Sequence, residues 1–228
     1  MTTDPAPAAA QRRRRLSPEQ RERQVLDAAV RVFSRSGFHD ASMDDVAEQA
    51  GVSKPMVYTH GGGSKEELLR RCIRREADRL LVPVSQAAGS RTAASLPTGA
   101  RTPAAPADTG PDAEHRLRHG LRAFFATLTS HRDGWSVLYR QARAGSIADE
   151  VHDARSRIVE RVAGLLADEL AVPAGADPVV IATPVAAALV GAAEGLADWS
   201  AAGGSDDPDV LAGLLMTLVW PGLDRLRG

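Results

Sequence analysis

The stretch from Ser42 to Leu69, SMDDVAEQAGVSKPMVYTHGGGSKEELL, admits few folds. Ser42 can cap a helix, with Asp45 three residues on, where a capping box places an acid. Met43, Val46, Ala47 and Ala50 fall at i, i+3, i+4 and i+7, one apolar helical face. Gly51 follows at once, and a sharp turn after a helix favours the positive φ that glycine takes without steric cost. Val52 is apolar, Ser53 can cap again, and Pro55 sits in a first turn, where its missing N–H does no harm. Val57 returns to the core. The spacing of small Ala47, turn Gly51 and aliphatic Val57 suits two short helices crossing about a tight turn. Two ordinary core helices can share that spacing by chance. The paired caps, outward Lys54 and Tyr58, and the basic run Arg12–Arg15 upstream favour a helix-turn-helix that meets DNA.

Hydrophobic residues make up 43% of the 228-residue chain but aromatics only 4%, so any core is built from Ala, Leu and Val. The apolar spacing is helical and not alternating, which makes the expected fold class all-α. Charge is uneven. Through Arg79 there are 15 Lys/Arg against 12 Asp/Glu, and beyond it 13 against 17. A basic front and a mildly acidic rear fit a polyanionic partner at the front. The lone Cys72 cannot close an internal disulfide and reads as core. Arg12–Arg15 is not followed by an apolar run, and Val179–Ala193 is short for a bilayer span, so a cytoplasmic protein without a membrane partner is expected.

In chain order, residues 1–16 read as a disordered basic arm whose arginines would meet phosphates or a minor groove. Residues 17–64 read as the helix-turn-helix domain, opened by the cap-and-proline signal Ser17-Pro18-Glu19-Gln20. Residues 65–84 read as a connecting helix, capped by Ser64 with Glu67 as the box acid and running to about Val82. Lys65, at its start, reads as a phosphate contact. Residues 85–111 read as a flexible insertion or one hiding a short helix. Residues 112–228 carry helical stripes over Asp112–Ser130, Asp133–Ala144, Ser146–Ala171, Pro178–Ala201 and from Pro208 to near Gly222.

Catalytic chemistry finds no support. His60-Gly61-Gly62-Gly63-Ser64-Lys65 lacks the glycine before and the hydroxyl after the lysine of a phosphate-binding loop. The six histidines show no metal-ligand spacing, and no nucleophile elbow is present. Neither a metal, a cofactor nor an enzymatic activity is expected.

The run AGVSKPMVYTH followed by SKEELL resembles the signature of TetR-family transcriptional regulators, specifically over Leu16–Arg79 and more weakly through Val190–Trp199 and Leu218–Leu223. The resemblance implies an all-helical homodimer with an N-terminal DNA-binding domain and a C-terminal domain for effector binding and dimerisation. It implies a repressor that leaves a near-palindromic double-stranded operator when a small molecule binds. On that reading Ser42, Ser53, Lys54, Pro55, Met56, Tyr58, His60 and Lys65 face DNA, with Arg14 and Arg15 from the arm. Phe124, Phe125, Leu128, Trp135, Tyr139 and Arg143 fall where the effector pocket would be, and ordinary core is the competing assignment. Val190, Glu194, Trp199, Leu215, Leu218 and Trp220 would meet their copies across a two-fold axis through the last two helices. One departure stands out: the family carries an aromatic after the position of His60, and this chain has Gly61, Gly62 and Gly63. That run keeps open a second class of function, a helical interaction protein with weakened DNA binding.

Overall fold

A computed structural model of the chain describes residues 16–89, 111–140, 148–171 and 175–227. Among the described residues there are nine α-helices and no strand. They are α1 (Pro18–Asp40), α2 (Met43–Ala50), α3 (Lys54–Gly61), α4 (Lys65–Gly89), α5 (Pro111–Ser130), α6 (Arg132–Arg140), α7 (Ala148–Ala167), α8 (Pro178–Ala201) and α9 (Pro208–Arg227).

Local chemistry sets the first helices. Ser17 and Gln20 form a reciprocal capping box at 3.2 and 2.9 Å, and α1 breaks at Gly37, where φ is 75°. Ser42 and Asp45 form a second box, the Asp45 N–H donating to the Ser42 hydroxyl at 3.1 Å and the Ser42 N–H to the carboxylate at 2.9 Å. Each box satisfies N–H groups that a helix terminus leaves without partners. Ser64 caps α4 through the Glu67 N–H at 3.0 Å.

Several boundaries differ from expectation. The connecting helix does not stop at Val82; α4 continues through Pro83 to Gly89. Proline costs a helix one hydrogen bond, and the packing of α4 along α5 and α7 outweighs that loss. Residues 85–89, expected in the insertion, are therefore helical, and 90–110 lie outside the described residues, as does the arm with Arg14 and Arg15. The last helix likewise runs through Pro221 to Arg227 and does not end near Gly222.

Two hydrophobic cores result. One joins α1–α4 to α6, with buried residues of α5, α7 and α8 at its edge, around Phe33, Leu68, Leu69 and Ile73. The other joins α5, α7, α8 and α9 around Phe125, Leu211, Leu215 and Met216. Phe124, Val159 and Val162 touch both. Full burial of one such large side chain contributes about 1.5–3 kcal/mol.

The first core also encloses a charge cluster. Glu76 on α4 is 2% exposed, and its carboxylate accepts from Arg75 at 2.8 Å and Arg79 at 3.2 Å. Arg75 Nη1 lies 3.0 Å from Asp27 of α1, off hydrogen-bond alignment. Helix α6 crosses directly over this carboxylate at Gly134, where an added Cβ would stand 2.3 Å from Glu76 Oε2.

Candidate functional site

The turn between α2 and α3 is built from local rules. Gly51 is left-handed (φ 64°, ψ 37°), and the Val52 N–H reaches back to the Ala47 carbonyl at 3.0 Å. That bond closes the turn only if the linking residue takes positive φ, which explains the glycine. Val57 and Gly61, four residues apart, are the buried positions of α3. Lys54, Pro55, Tyr58 and Thr59 consequently share its outward face.

Of the residues expected to face DNA, Lys54, Pro55 and Tyr58 are exposed, Tyr58 by 39%. Met56 and His60 are half-buried at the edge of that face, and Thr59, not singled out from the sequence, lies on it. Lys54 pairs with Asp44 at 2.8 Å, and the carboxylate holds the ammonium pKa above its ordinary value. Both side chains are about half-exposed or more. Such a pair is worth little in water, so it does little to hold the ammonium in place.

Three features of this region were not legible in the sequence. Lys65, expected at a phosphate, is engaged within the chain. Its ammonium donates to the carbonyls of Phe38, His39 and Ala41 at 2.8, 3.3 and 2.9 Å and lies 4.5 Å from the Phe38 ring centre. An ammonium has three N–H donors, and all three are used to close the end of α1 onto α4. Ser53 precedes α3, yet its side chain makes no capping bond. The triple glycine is a helix stop. Gly62 is left-handed (φ 99°), the Gly63 N–H reaches the Tyr58 carbonyl at 3.0 Å, and Arg71 takes the His60 carbonyl at 2.7 Å. A Cβ at Gly62 would fall 2.6 Å from Glu67 Cγ, so α3 and α4 meet too closely there for a side chain.

A cavity of about 310 Å³ lies at the seam of the two cores. Leu80, Leu81 and Val84 of α4, Leu117 and Phe124 of α5, Ile158, Val162 and Leu166 of α7, and Leu189 of α8 supply its walls. Polar groups stand at two places. Tyr139 and Glu194 form one, the phenol donating to the carboxylate at 2.8 Å while Arg155 grips that carboxylate at 3.0 and 3.1 Å. Burial, and then the Glu194 charge, hold the Tyr139 pKa well above its usual value. Arg116, Asp168 and Glu169 form the other, with Arg116 on Glu169 at 2.7 Å.

Among the expected effector residues, Phe124 and Tyr139 line this cavity. Phe125 does not; it is wholly buried in the second core. Leu128 and Trp135, 3% and 5% exposed, are also core, with Trp135 stacked 3.8 Å from Tyr139 and its indole N–H on Asp198 at 3.2 Å. Both border a neighbouring, more polar recess with Tyr139. Arg143 lies outside the described residues. The aliphatic walls from α4 and α7 were legible only as core stripes. Among the described residues no cluster of His, Cys, Asp or Glu could hold a metal ion.

The expected pairing face divides. Trp199 and Leu218 are exposed by 48% and 72%, beside Val210 and Leu214 at 45% and 48%. Val190 and Leu215 point into the chain's own core at 7% and 0%; Val190 lies opposite Trp199 on α8, and Leu215 lies at the inner edge of the face that carries Leu214 and Leu218 on α9. Glu194 is held by Tyr139 and Arg155, and Trp220 borders the cavity. Helix α8 is long and apolar enough by length and composition to cross a membrane. Its Ala182, Ala186, Leu189 and Ala193 are instead buried in the second core.

Comparison with known proteins agrees with this architecture. The profile of bacterial regulatory proteins of the tetR family matches residues 25–72, and that of the tetracyclin repressor-like C-terminal domain matches 113–222. The transcriptional activator FasR of Mycolicibacterium smegmatis is 34% identical over 134 residues, 58% of this chain and 52% of FasR, so the match spans about half the length of that relative. A TetR-like regulator from Rhodococcus sp. RHA1 is 35% identical, with a TM-score of 0.63 over 92% of this chain and 98% of that one. Bacillus subtilis FadR, solved in complex with stearoyl-CoA, shares the fold at 17% identity, with a TM-score of 0.63 over 86% and 96% of the two chains. With a capped helix-turn-helix in front and a cavity-bearing helical domain behind, the chain belongs to the TetR family of DNA-binding transcriptional regulators.

Proposed function

We propose that the protein is a ligand-responsive repressor that binds a near-palindromic operator as a homodimer and releases it when a small apolar molecule fills the cavity. The observation that carries this reading is the outward face of α3, with Lys54, Tyr58 and Thr59 exposed on a helix anchored by Val57. Tyr58 and Lys54 reach base edges or phosphates, and the N–H groups at the start of α3, with no side-chain cap, favour a phosphate. Trp199, Val210, Leu214 and Leu218 supply the apolar face through which α8 and α9 pair with their copies. Two recognition helices related by that axis address major-groove segments about 34–36 Å apart or a multiple of it. The stearoyl-CoA of the FadR neighbour supports a chain-like occupant for the cavity.

The test is a gel-shift titration with the duplex immediately upstream of the protein's own coding sequence, read against random duplex of equal length. Preference by about 1,000-fold or more is expected of a specific regulator. Equal affinity for both duplexes, with the same salt dependence, would sink the operator reading. A cavity ligand should then weaken operator binding roughly 5–150-fold.

A further inference from the structure

We infer that the effector is an apolar molecule whose polar end is uncharged and donates a hydrogen bond, and not a carboxylate or a phosphate-bearing conjugate. This rests on the reading of the cavity as the effector site. The cavity walls are aliphatic side chains with the rings of Phe124 and Trp220, apart from two charged or hydroxyl-bearing places, so the chemistry of those places selects the head of the ligand. At the first, the Tyr139 hydrogen is already given to Glu194, and Arg155 lies across both oxygens of the same carboxylate. What that network offers is lone pairs: the phenol oxygen and the carboxylate. A hydroxyl or amide N–H completes it, whereas an anion would meet these acceptors and gain a donor only by taking Arg155 from Glu194. At the second, Arg116 is the one cation among the described lining residues, against Asp168, Glu169 and Glu194. It is held by Glu169 at 2.7 Å. An anionic head there would have to displace one carboxylate and lie beside another, out of water. The FadR neighbour crystallised with an acyl-CoA shares only 17% identity, and the charge pattern here argues for a different head on a similar body.

The experiment measures binding of 1-decanol, decanoate and decanoyl-CoA to the full chain at neutral pH, below their micellar concentrations, by thermal shift and by displacement of a fluorescent apolar probe. Decanol should bind at least about tenfold more tightly than either anion, the usual reach of a site that leaves a wrong head unpaired. Equal or tighter binding of decanoate or decanoyl-CoA overturns the inference and leaves the cavity as the effector site. If no compound shifts the melt or displaces the probe, both the inference and the cavity reading fall. Glu169→Gln supplies the second arm. Removing the Glu169 charge beside Arg116 should tighten decanoate about tenfold while decanol changes less than about twofold. No gain for decanoate would show that the Arg116–Glu169 pair does not select the head, and would count against the inference.

Discussion

Replacing Gly134 by alanine tests the crossing of α6 over α4. In an ordinary helix interior that change stabilises by about 1 kcal/mol, because glycine gives up more backbone freedom. Here the new methyl would stand 2.3 Å from Glu76 Oε2 and 2.9 Å from Cδ. A carboxylate tip often swings aside at little cost. This one is 2% exposed and gripped by Arg75 and Arg79, both of which also pair with Asp27 of α1. Either the carboxylate leaves its partners, which costs about 3–5 kcal/mol for a buried pair, or α6 lifts, which costs about 1–3 kcal/mol as overpacking. The chain takes the smaller cost, partly offset by propensity, so a net loss of about 1–2 kcal/mol is expected. For a chain of this size that is a fall of about 2–8 °C in melting temperature, read by circular dichroism. Glu76→Asp shortens the acid by one methylene, so Gly134→Ala should cost less in that background. If Gly134→Ala raises the melting temperature of the parent by the propensity gain alone, the carboxylate is not clamped and the account fails.

Four further outcomes follow from particular contacts. Lys65→Met should destabilise the chain by about 1–2 kcal/mol, since three carbonyls lose a charged donor, and leave the salt slope of operator binding unchanged; a slope lower by about one would restore Lys65 to the phosphate contacts. Tyr58→Ala should leave the melt unchanged and weaken operator over random DNA by about 1–2 kcal/mol; full operator affinity in titration would reassign the face of α3. The Ser42 hydroxyl, and then its N–H, hold the Asp45 pKa below its ordinary 3.8. A depressed acid stabilises the fold fully above its unfolded value and loses that contribution as pH falls through the folded value. The stability gap between parent and Ser42→Ala should therefore shrink below about pH 4 in melts across an acid series, and a pH-independent gap would contradict the box. Burial pushes the Cys72 thiol up to about 12, so it should resist an aromatic disulfide reagent at mildly alkaline pH until the chain unfolds; rapid native labelling would show that α4 opens there.

Legibility followed the range of the interactions. The capping boxes at Ser17 and Ser42 and the turn at Gly51 depend on residues within five of one another, and each was readable in order along the chain. The partners of Lys65 within the chain were not legible because they lie 24–27 residues back. A lysine at a helix start looks the same from sequence whether it points to a phosphate or to carbonyls across a crossing. The end of α4 was misplaced because Pro83 is a local stop signal, and packing against α5 and α7 overrides it. Cavity walls were invisible for another reason: Ile158, Val162 and Leu166 lie on one helical stripe, which reads alike whether it faces a side chain or a void. Helix α8 is apolar nearly all round, so periodicity could not place Val190 inward and Trp199 outward.

Helix α4 is latched by its first residue to the end of α1, and its Leu80 and Leu81, ahead of Pro83, wall the cavity. Lys65 and Leu80 are about 22 Å apart along it, at about 1.5 Å per residue. On the proposed reading, a swing of about 1 Å at Leu80, carried by a helix that stays straight back to Lys65, would reappear at α3 as a comparable sideways step. In a two-fold assembly both reading heads step, so their separation changes by about 2 Å, more than half the 3.4 Å rise of one base pair. On that reading, stiffness in this one element would convert a change of packing smaller than a methyl group into a mismatch with the pitch of the duplex.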